Sequence, residues 1–252
     1  MDDFEELLAE GSAVPTDGWD FSWFEGRATE ERPSWGYARL LAERMARAGA
    51  ALDLQTGGGE VLATIPHPPP VLVATESWPP NLEIARHNLR PLGGTVVESE
   101  DTADLPFDDG AFDLVVSRHP TAVRWHEIAR VLKPGGTYLS QGIGSGSNRE
   151  LSEAMMGPLP PPEDQRIAES ANEAGLDVIT LLHESLRAEY YDIGAIVHFL
   201  RKVLWTVPGF TPQRYRAQLI SLHDRIRSDG PFVSHARRYL VEARKRVPVD
   251  HP

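Results

Sequence analysis

Apolar positions along this chain fall into two alternating kinds of run. Short runs of five or six residues built around apolar positions occur at 50–54, 71–75, 94–98, 112–117 and 137–141. Runs of that length, rich in Val, Leu and Ala, predict strands buried on both faces. Between them, apolar residues recur at three- and four-residue steps, the period of a helix with one buried face. Leu40, Leu41, Met45 and Ala48 mark one such helix from Ser34 to the stop at Gly49. Leu82, Ile84, Ala85 and Leu89 mark another, started by Pro79 and Pro80. Val123, Ile128, Ala129, Val131 and Leu132 mark a third, ending at Lys133-Pro134-Gly135-Gly136. Glu163 to Ala174 predicts a helix before a strand over 176–182, with room to extend to Ala188. Strand and helix alternating through five units predict an α/β fold with a doubly wound parallel sheet. Near Tyr190 the pattern changes. Asp192 is placed to cap a helix with the stripe Ile193, Ile196, Val197, Leu200 and Leu204, and Tyr215, Leu219, Leu222 and Ile226 mark a second. A seventh strand is expected at 238–243.

The first strand, Ala50-Ala51-Leu52-Asp53-Leu54, runs into Gln55-Thr56-Gly57-Gly58-Gly59-Glu60. Glycines after a buried strand let the backbone approach a ligand, and a helix N-terminus beyond them would favour an anionic or electron-rich group. The proline run at Pro66 and 68–70 keeps any helix here short. Glu76 closes the second strand at the spacing where an acid meets ribose hydroxyls in nucleotide sites. The acidic segment from Glu100 comes to the same sheet edge, where Asp101 can accept from an exocyclic amine and the Thr102 backbone can meet a ring nitrogen. Asp104, Asp108 and Asp109 read as a solvated turn.

Composition narrows the field. The chain has 252 residues, 41% apolar and 25% charged, which suits a globular fold with a substantial core. A formal net charge of -12 disfavours nucleic acid or an anionic membrane as the main partner. With no cysteine, thiolate chemistry and disulfides are excluded, and the nine histidines show no metal-ligand spacing. No run approaches a spanning helix and the N-terminus is acidic, so a cytoplasmic protein is expected.

Four segments in order carry a family resemblance: Ala51 to Gly59; Glu76; Asp104-Leu105-Pro106-Phe107 with Ala111-Phe112-Asp113-Leu114-Val115; and Ile128 to Gly136. Together they resemble the class I S-adenosylmethionine-dependent methyltransferases. The resemblance implies a Rossmann-like sheet of seven mostly parallel strands with an antiparallel last strand. It implies one domain: arm and helix at 1–48, core at 49–189, a helical cap insertion at 190–229, and last strand and tail at 230–252. S-adenosyl-L-methionine is the implied cofactor, held by Asp53, Gln55, Thr56, Gly57, Gly59, Glu76, Ser77, Asp101, Thr102, Ser117 and Arg27. Gln55 departs from the pattern, standing where the family's first glycine usually stands.

Methyl transfer needs an aligned acceptor more than a fixed catalytic set. His119, just past the fourth strand, is the candidate general base, and Pro120 is expected to hold it extended. Its competing role is a hydrogen bond that orients cofactor or loop. Trp19, Phe21, Trp23 and Phe24 cluster in the N-terminal arm, and read as packing or as a lid with Trp23 and Arg27 facing ligand. Tyr190, Tyr191, His198 and Trp205 would face substrate if the insertion is a cap, and would cover the sheet if it is not. His67, His87, His223 and His251 read as surface or loop. A small-molecule substrate is expected, with the protein a monomer or homodimer and no nucleic acid or membrane partner. An RNA methyltransferase, an NAD(P)-binding oxidoreductase and a non-catalytic cofactor-binding module remain as alternatives. Arg237, Arg238, Arg244, Lys245 and Arg246 form a local basic end that keeps the RNA reading open.

Overall fold

The computed structural model describes residues 3–16 and 21–248, so Trp19 and His251 lie outside the described residues. Among the described residues, eight strands form one sheet: β1 (Ala28–Glu30), β2 (Ala50–Leu54), β3 (Val71–Glu76), β4 (Thr95–Glu98), β5 (Phe112–Arg118), β6 (Leu132–Ile143), β7 (Leu176–Tyr190) and β8 (Phe232–Lys245). Their order is β1-β7-β8-β6-β5-β2-β3-β4. The pairs β2–β3, β3–β4, β2–β5 and β5–β6 are parallel, whereas β1 runs antiparallel to β7. Eight strands replace the expected seven because β1 is added at an edge. It is three residues long and mostly exposed, and backbone pairing to β7 holds it without any apolar period.

The described helices are α1 (Phe4–Ala13), α2 (Tyr37–Met45), α3 (Pro79–Leu89), α4 (Trp125–Val131), α5 (Arg149–Met156), α6 (Ile167–Glu173), α7 (Ile193–Lys202) and α8 (Arg216–Asp229). The chain divides into two compact units. One comprises Pro33–Ile143, Gln165–His183 and Tyr239–Pro252; the other comprises Met1–Arg32, Gly144–Asp164 and Glu184–Arg238.

In the first of these, β2 is buried along its whole length because β3 and β5 flank it. Alternate residues go to opposite faces. Ala51, Leu72, Ala74, Leu114 and Val116 pack with Leu41 and Met45 of α2, while Leu52, Val115 and Tyr138 pack with Ile128 of α4 and Ile167 of α6. Each fully buried Leu or Val contributes about 1.5–3 kcal/mol. The segment Lys133–Gly136 is not a helix stop beyond the strand but part of β6. It bulges between the register points Phe112↔Leu132 and Leu114↔Thr137. Gly142 also lies within β6. A Cβ there would overlap the Tyr239 ring, so only glycine admits that ring.

In the other unit, α7 and α8 form as the apolar spacing predicts. The Asp192 carboxylate accepts from the Ala195 N–H at 2.8 Å, capping α7. Leu204 lies past the end of α7 and is exposed, so the stripe ends at Leu200. Helix α1 was not expected. It meets α7 where a Cβ on Gly11 would collide with the Gly194 carbonyl oxygen, and Arg201 donates to the carbonyls of Gly11 and Val14. No described helix is long and apolar enough to cross a membrane.

Candidate active site

The carboxyl ends of β2, β3 and β5 bring the expected cofactor residues together. Past Leu54 the backbone turns left-handed three times, at Gln55 (φ 56°), Gly57 (64°) and Gly59 (73°). A Cβ at Gly59 would press within 3.2 Å of Leu89, which fixes glycine there for packing as well as for φ. No α-helix follows this turn. A single 3₁₀ turn at Leu62–Thr64 precedes the prolines, so the expected helix N-terminus is absent and the turn's N–H groups are met by side chains instead. Glu76, only 6% exposed, does this. One of its carboxylate oxygens accepts from Gly57 N–H (2.7 Å), the other from Ser77 and Trp78 N–H (2.9 and 2.8 Å). A carboxylate offers about four acceptor positions, so three such bonds leave capacity for a ribose hydroxyl.

Asp53 lies below the turn and accepts from the Thr56 hydroxyl at 2.6 Å. Burial pushes its pKa up to about 7, opposed by the Thr56 hydrogen bond and reinforced by the nearby Glu76 charge. Asp53 and Thr56 are thus paired with one another in the floor of the site.

Gln55 occupies the left-handed position that glycine usually fills, and its side chain is fully used. Its Oε1 accepts from Thr121 N–H at 2.6 Å and its Nε2 donates to the Ala122 carbonyl at 2.7 Å. The Thr121 hydroxyl in turn donates to Asp101 at 2.5 Å. This string ties the glycine-rich turn to the loop after β5 and to the acidic loop. The cavity lined by Leu54, Gln55, Thr75, Asp101, Leu105 and Ala122 is only about 20 Å³. That is room for about one water. An adenine would enter only as the string yields. Thr102 is exposed on the neighbouring turn.

The acidic loop itself is more than a solvated turn. Arg130 of α4 donates to the carbonyls of Leu105 and Phe107, to Asp109 and to both oxygens of Glu127, and Arg124 pairs with Asp104. Glu127 also accepts from Leu105 N–H at 2.7 Å. The Arg130 guanidinium is the main cause of the Glu127 pKa falling to about 2. Residues of two family-like segments therefore clamp each other.

Several expected ligand contacts are redirected. Ser117 is fully buried, and its hydroxyl lies 2.8 Å from those of Tyr138 and Ser140, so it serves the sheet interior rather than the cofactor. Arg27, in the other unit, sits over Trp23 at 4.3 Å and pairs with Glu10 at 2.5 Å. His119 is not extended. Its φ is 56°, because its N–H continues the β5–β6 ladder to the Gln141 carbonyl at 2.7 Å while its ring reaches the Gln141 side chain at 3.0 Å. That side chain, which sequence reading passed over, also accepts from the Trp35 indole N–H at 2.7 Å. Only the polar residue at a strand end hinted at it.

Among the expected substrate residues, Tyr190 and His198 are core. Tyr190 packs edge-on to Phe199, and His198 stacks on Phe24 with Trp23 at its edge. Tyr191 and Trp205 are exposed, the Tyr191 hydroxyl donating to Glu189 at 2.9 Å. Phe210 is buried against Tyr215, and His223 is buried in α8 beside Phe4 rather than on the surface. Among the described residues, no three His, Asp or Glu side chains are grouped so as to hold a metal ion.

Comparison with known proteins follows the same turn and loops. The family model described as a methyltransferase domain matches residues 52–140. That span starts inside β2, includes Glu76, the acidic loop and α4, and ends in β6. Over residues 52–140, about a third of the chain, the protein is similar to the methyltransferase-domain family. S-adenosylmethionine is the cofactor of this methyltransferase family. A malonyl-[acyl-carrier protein] O-methyltransferase of Marinomonas sp. is 28% identical over 148 residues, 52% of this chain and 54% of the relative. The chain thus spans about half the length of that curated relative. Two solved structures share the fold. A functionally unknown protein of Deinococcus radiodurans has a TM-score of 0.62 at 17% identity, covering 97% of this chain and 100% of that one. The geranyl diphosphate C-methyltransferase of Streptomyces coelicolor, solved with S-adenosyl-L-homocysteine, has a TM-score of 0.50 at 17% identity, covering 82% and 74%.

The methyltransferase residues fit the cofactor in part as they stand. Glu76 and the Gly57–Gly59 cradle are formed, whereas the space beside Asp101, where the resemblance puts the adenine, is crossed by the Gln55–Thr121–Asp101 string.

Proposed function

We propose that this chain transfers a methyl group from S-adenosylmethionine to a small-molecule acceptor. The observation that carries the reading is the buried Glu76 carboxylate, joined to the Gly57 N–H beside a turn that a Cβ at Gly59 would crowd. In this reading Glu76 holds the ribose hydroxyls, Ser77 and Gly57 border the sugar, and Asp101 with the Thr102 backbone takes the adenine edge. The cofactor, when bound, supplies a methyl group already activated by its sulfonium. The protein's work is alignment, which is worth about 7–11 kcal/mol in well-oriented reactions.

A small molecule is favoured over RNA by charge. The net charge is -12, and three of the five cations at the basic end are engaged within the protein. Arg238 pairs with Glu30 and Arg246 with Asp177, while Lys245 donates to the Leu132 carbonyl. The names of the two methyltransferase relatives, on malonyl-[acyl-carrier protein] and geranyl diphosphate, also point away from nucleic acid. In the same reading the helices at 190–229 bear the substrate-contacting residues, and of the four expected ones Tyr191 and Trp205 are exposed. The test is incubation with methyl-labelled cofactor and panels of acids, phenols, amines and short RNAs. Label in a small molecule, with S-adenosylhomocysteine formed, supports the proposal. Tight cofactor binding with no transfer to any panel would make the chain a binding module instead.

A further inference from the structure

The two edges of the sheet are finished differently. At one end β4 is four residues long and is led in by Gly93 and Gly94, a short edge that offers little to a further strand. At the other end β7 runs for fifteen residues, and β1 covers only Ala188 to Tyr190 of it. The Glu31 N–H adds one bond, to the Arg187 carbonyl. Among the described residues, no strand lies on that side of β7 from Leu176 to Leu186. Main-chain groups point alternately to the two sides of a strand. Arg187 and Tyr191 direct theirs toward β1, the Tyr191 N–H donating to the Arg27 carbonyl. By the same alternation Asp177, Ile179, Leu181 and His183 direct theirs to the open edge. Long edges are blunted in other proteins by Lys, Pro or a bulge. The stretch from Leu176 to Tyr190 holds no Pro, Gly or Lys, and its first acid, Asp177, is paired with Arg246 at 2.7 Å. Ile179 and Leu182 stand 61% and 45% exposed on it.

The strand's own sequence specifies what covers this edge. Taken in both directions from Thr180, Asp177-Val178-Ile179-Thr180-Leu181-Leu182-His183 is chemically self-complementary. Laid antiparallel on a copy of itself with Thr180 on the twofold axis, it sets Ile179 against Leu181, Val178 against Leu182 and Asp177 against His183. Apolar pairs, an acid with a basic ring, and Thr facing Thr are all favourable across strands. Moving the axis to Ile179 or Leu181 sets Asp177 against Leu181 or Ile179 against His183 instead. The backbone selects the same register. The four edge-directed residues fall opposite one another as hydrogen-bonded pairs, which exchange about eight main-chain bonds in all. Pairing ends near Glu184, short of Arg187 where the cover from β1 begins.

We infer that the open edge of β7 is the surface at which two copies of this chain join, antiparallel about Thr180, with their sheets running on into one another. Each copy presents the same residues to the other, so the contact closes as a dimer. A single strand pair is small beside the roughly 1,200 Å² of a standard interface, so the dimer dissociates on dilution.

Sedimentation of the full chain at concentrations up to about 0.5 mM should show a monomer–dimer equilibrium. Ile179→Lys charges an exposed position on the edge; it should raise the half-dimerisation concentration about tenfold or more while the circular dichroism spectrum stays the same. The chain has no cysteine, so a single introduced one reports the register. Thr180 and its copy form a non-hydrogen-bonded pair, with Cα atoms about 4.5 Å apart and within disulfide reach. Thr180→Cys should therefore oxidise to a covalent dimer about ten times faster than Ile179→Cys, whose two copies lie on opposite sides of the axis. A monomer at every concentration, a dimer that Ile179→Lys leaves intact, or equal cross-linking at both positions overturns the inference. Open-ended oligomers in place of a dimer overturn it as well.

Discussion

Asp53→Asn is the substitution whose effect follows most directly from the site. Asp53 is 8% exposed beneath the glycine-rich turn, and burial raises its pKa from 3.8 to about 7. Between those two values the folded protein keeps a proton that the unfolded chain has lost. Stability from this group is therefore highest at low pH and falls as pH rises, by about 1.4 kcal/mol per unit, until the folded pKa is passed. From pH 5 to pH 8.5 the loss is roughly 3 kcal/mol. Asparagine does not titrate, yet its side-chain oxygen still accepts from Thr56. The variant should match or trail the native protein at pH 5 and gain on it by roughly 3 kcal/mol by pH 8.5. Urea unfolding of both proteins at the two pH values measures this difference, and subtraction removes the titration of all other groups. Parallel stability changes in the two proteins would refute the buried, proton-retaining Asp53.

Three further outcomes are expected. Glu76→Ala should weaken S-adenosylmethionine binding by about 1.5–3 kcal/mol in calorimetry; it should also lower the melting temperature, because three backbone N–H groups lose their acceptor. Gln55→Gly opens the tie to Thr121 and Ala122 and places glycine at a φ of 56°, so stopped-flow fluorescence should show faster cofactor association, and a slower rate would contradict the gating role. Glu127, held near pKa 2 against an ordinary 4.5, adds stability above pH 4.5 that is lost as pH falls through about 2; Glu127→Gln should flatten that part of the acid-unfolding curve.

The central parallel strands were legible because they are buried on both faces, and a short apolar-rich stretch bounded by turn residues fits few other elements. The Asp53–Gly59 turn and Glu76 were legible for a related reason, since an acid or glycine directly after such a run has a fixed place at the sheet edge. What escaped was held by backbone or by small residues. β1 pairs through main-chain bonds with no apolar signature, and α1 docks through Gly11, a residue that ordinarily argues against helix. The bulge at Lys133–Gly136 looked like a helix stop because proline and glycine serve both purposes. Side-chain roles were least legible. Ser117 and His198 have the polarity of site residues but are paired or stacked in the interior, and nothing in the spacing of Trp35, His119 and Gln141 announces that they meet. Contacts between residues more than eighty positions apart are set by strand order, which the sequence supplies only after the fold is known.

The turn at Gly57 and the acid at Glu76 form the proposed site for S-adenosylmethionine, on which methyl transfer depends. Calorimetric titration of the native protein with S-adenosylmethionine, S-adenosylhomocysteine and NAD tests it most directly. One site per chain is predicted for each of the two adenosyl compounds, with no heat from NAD. Saturable binding of NAD, or no binding of either adenosyl compound, would contradict it.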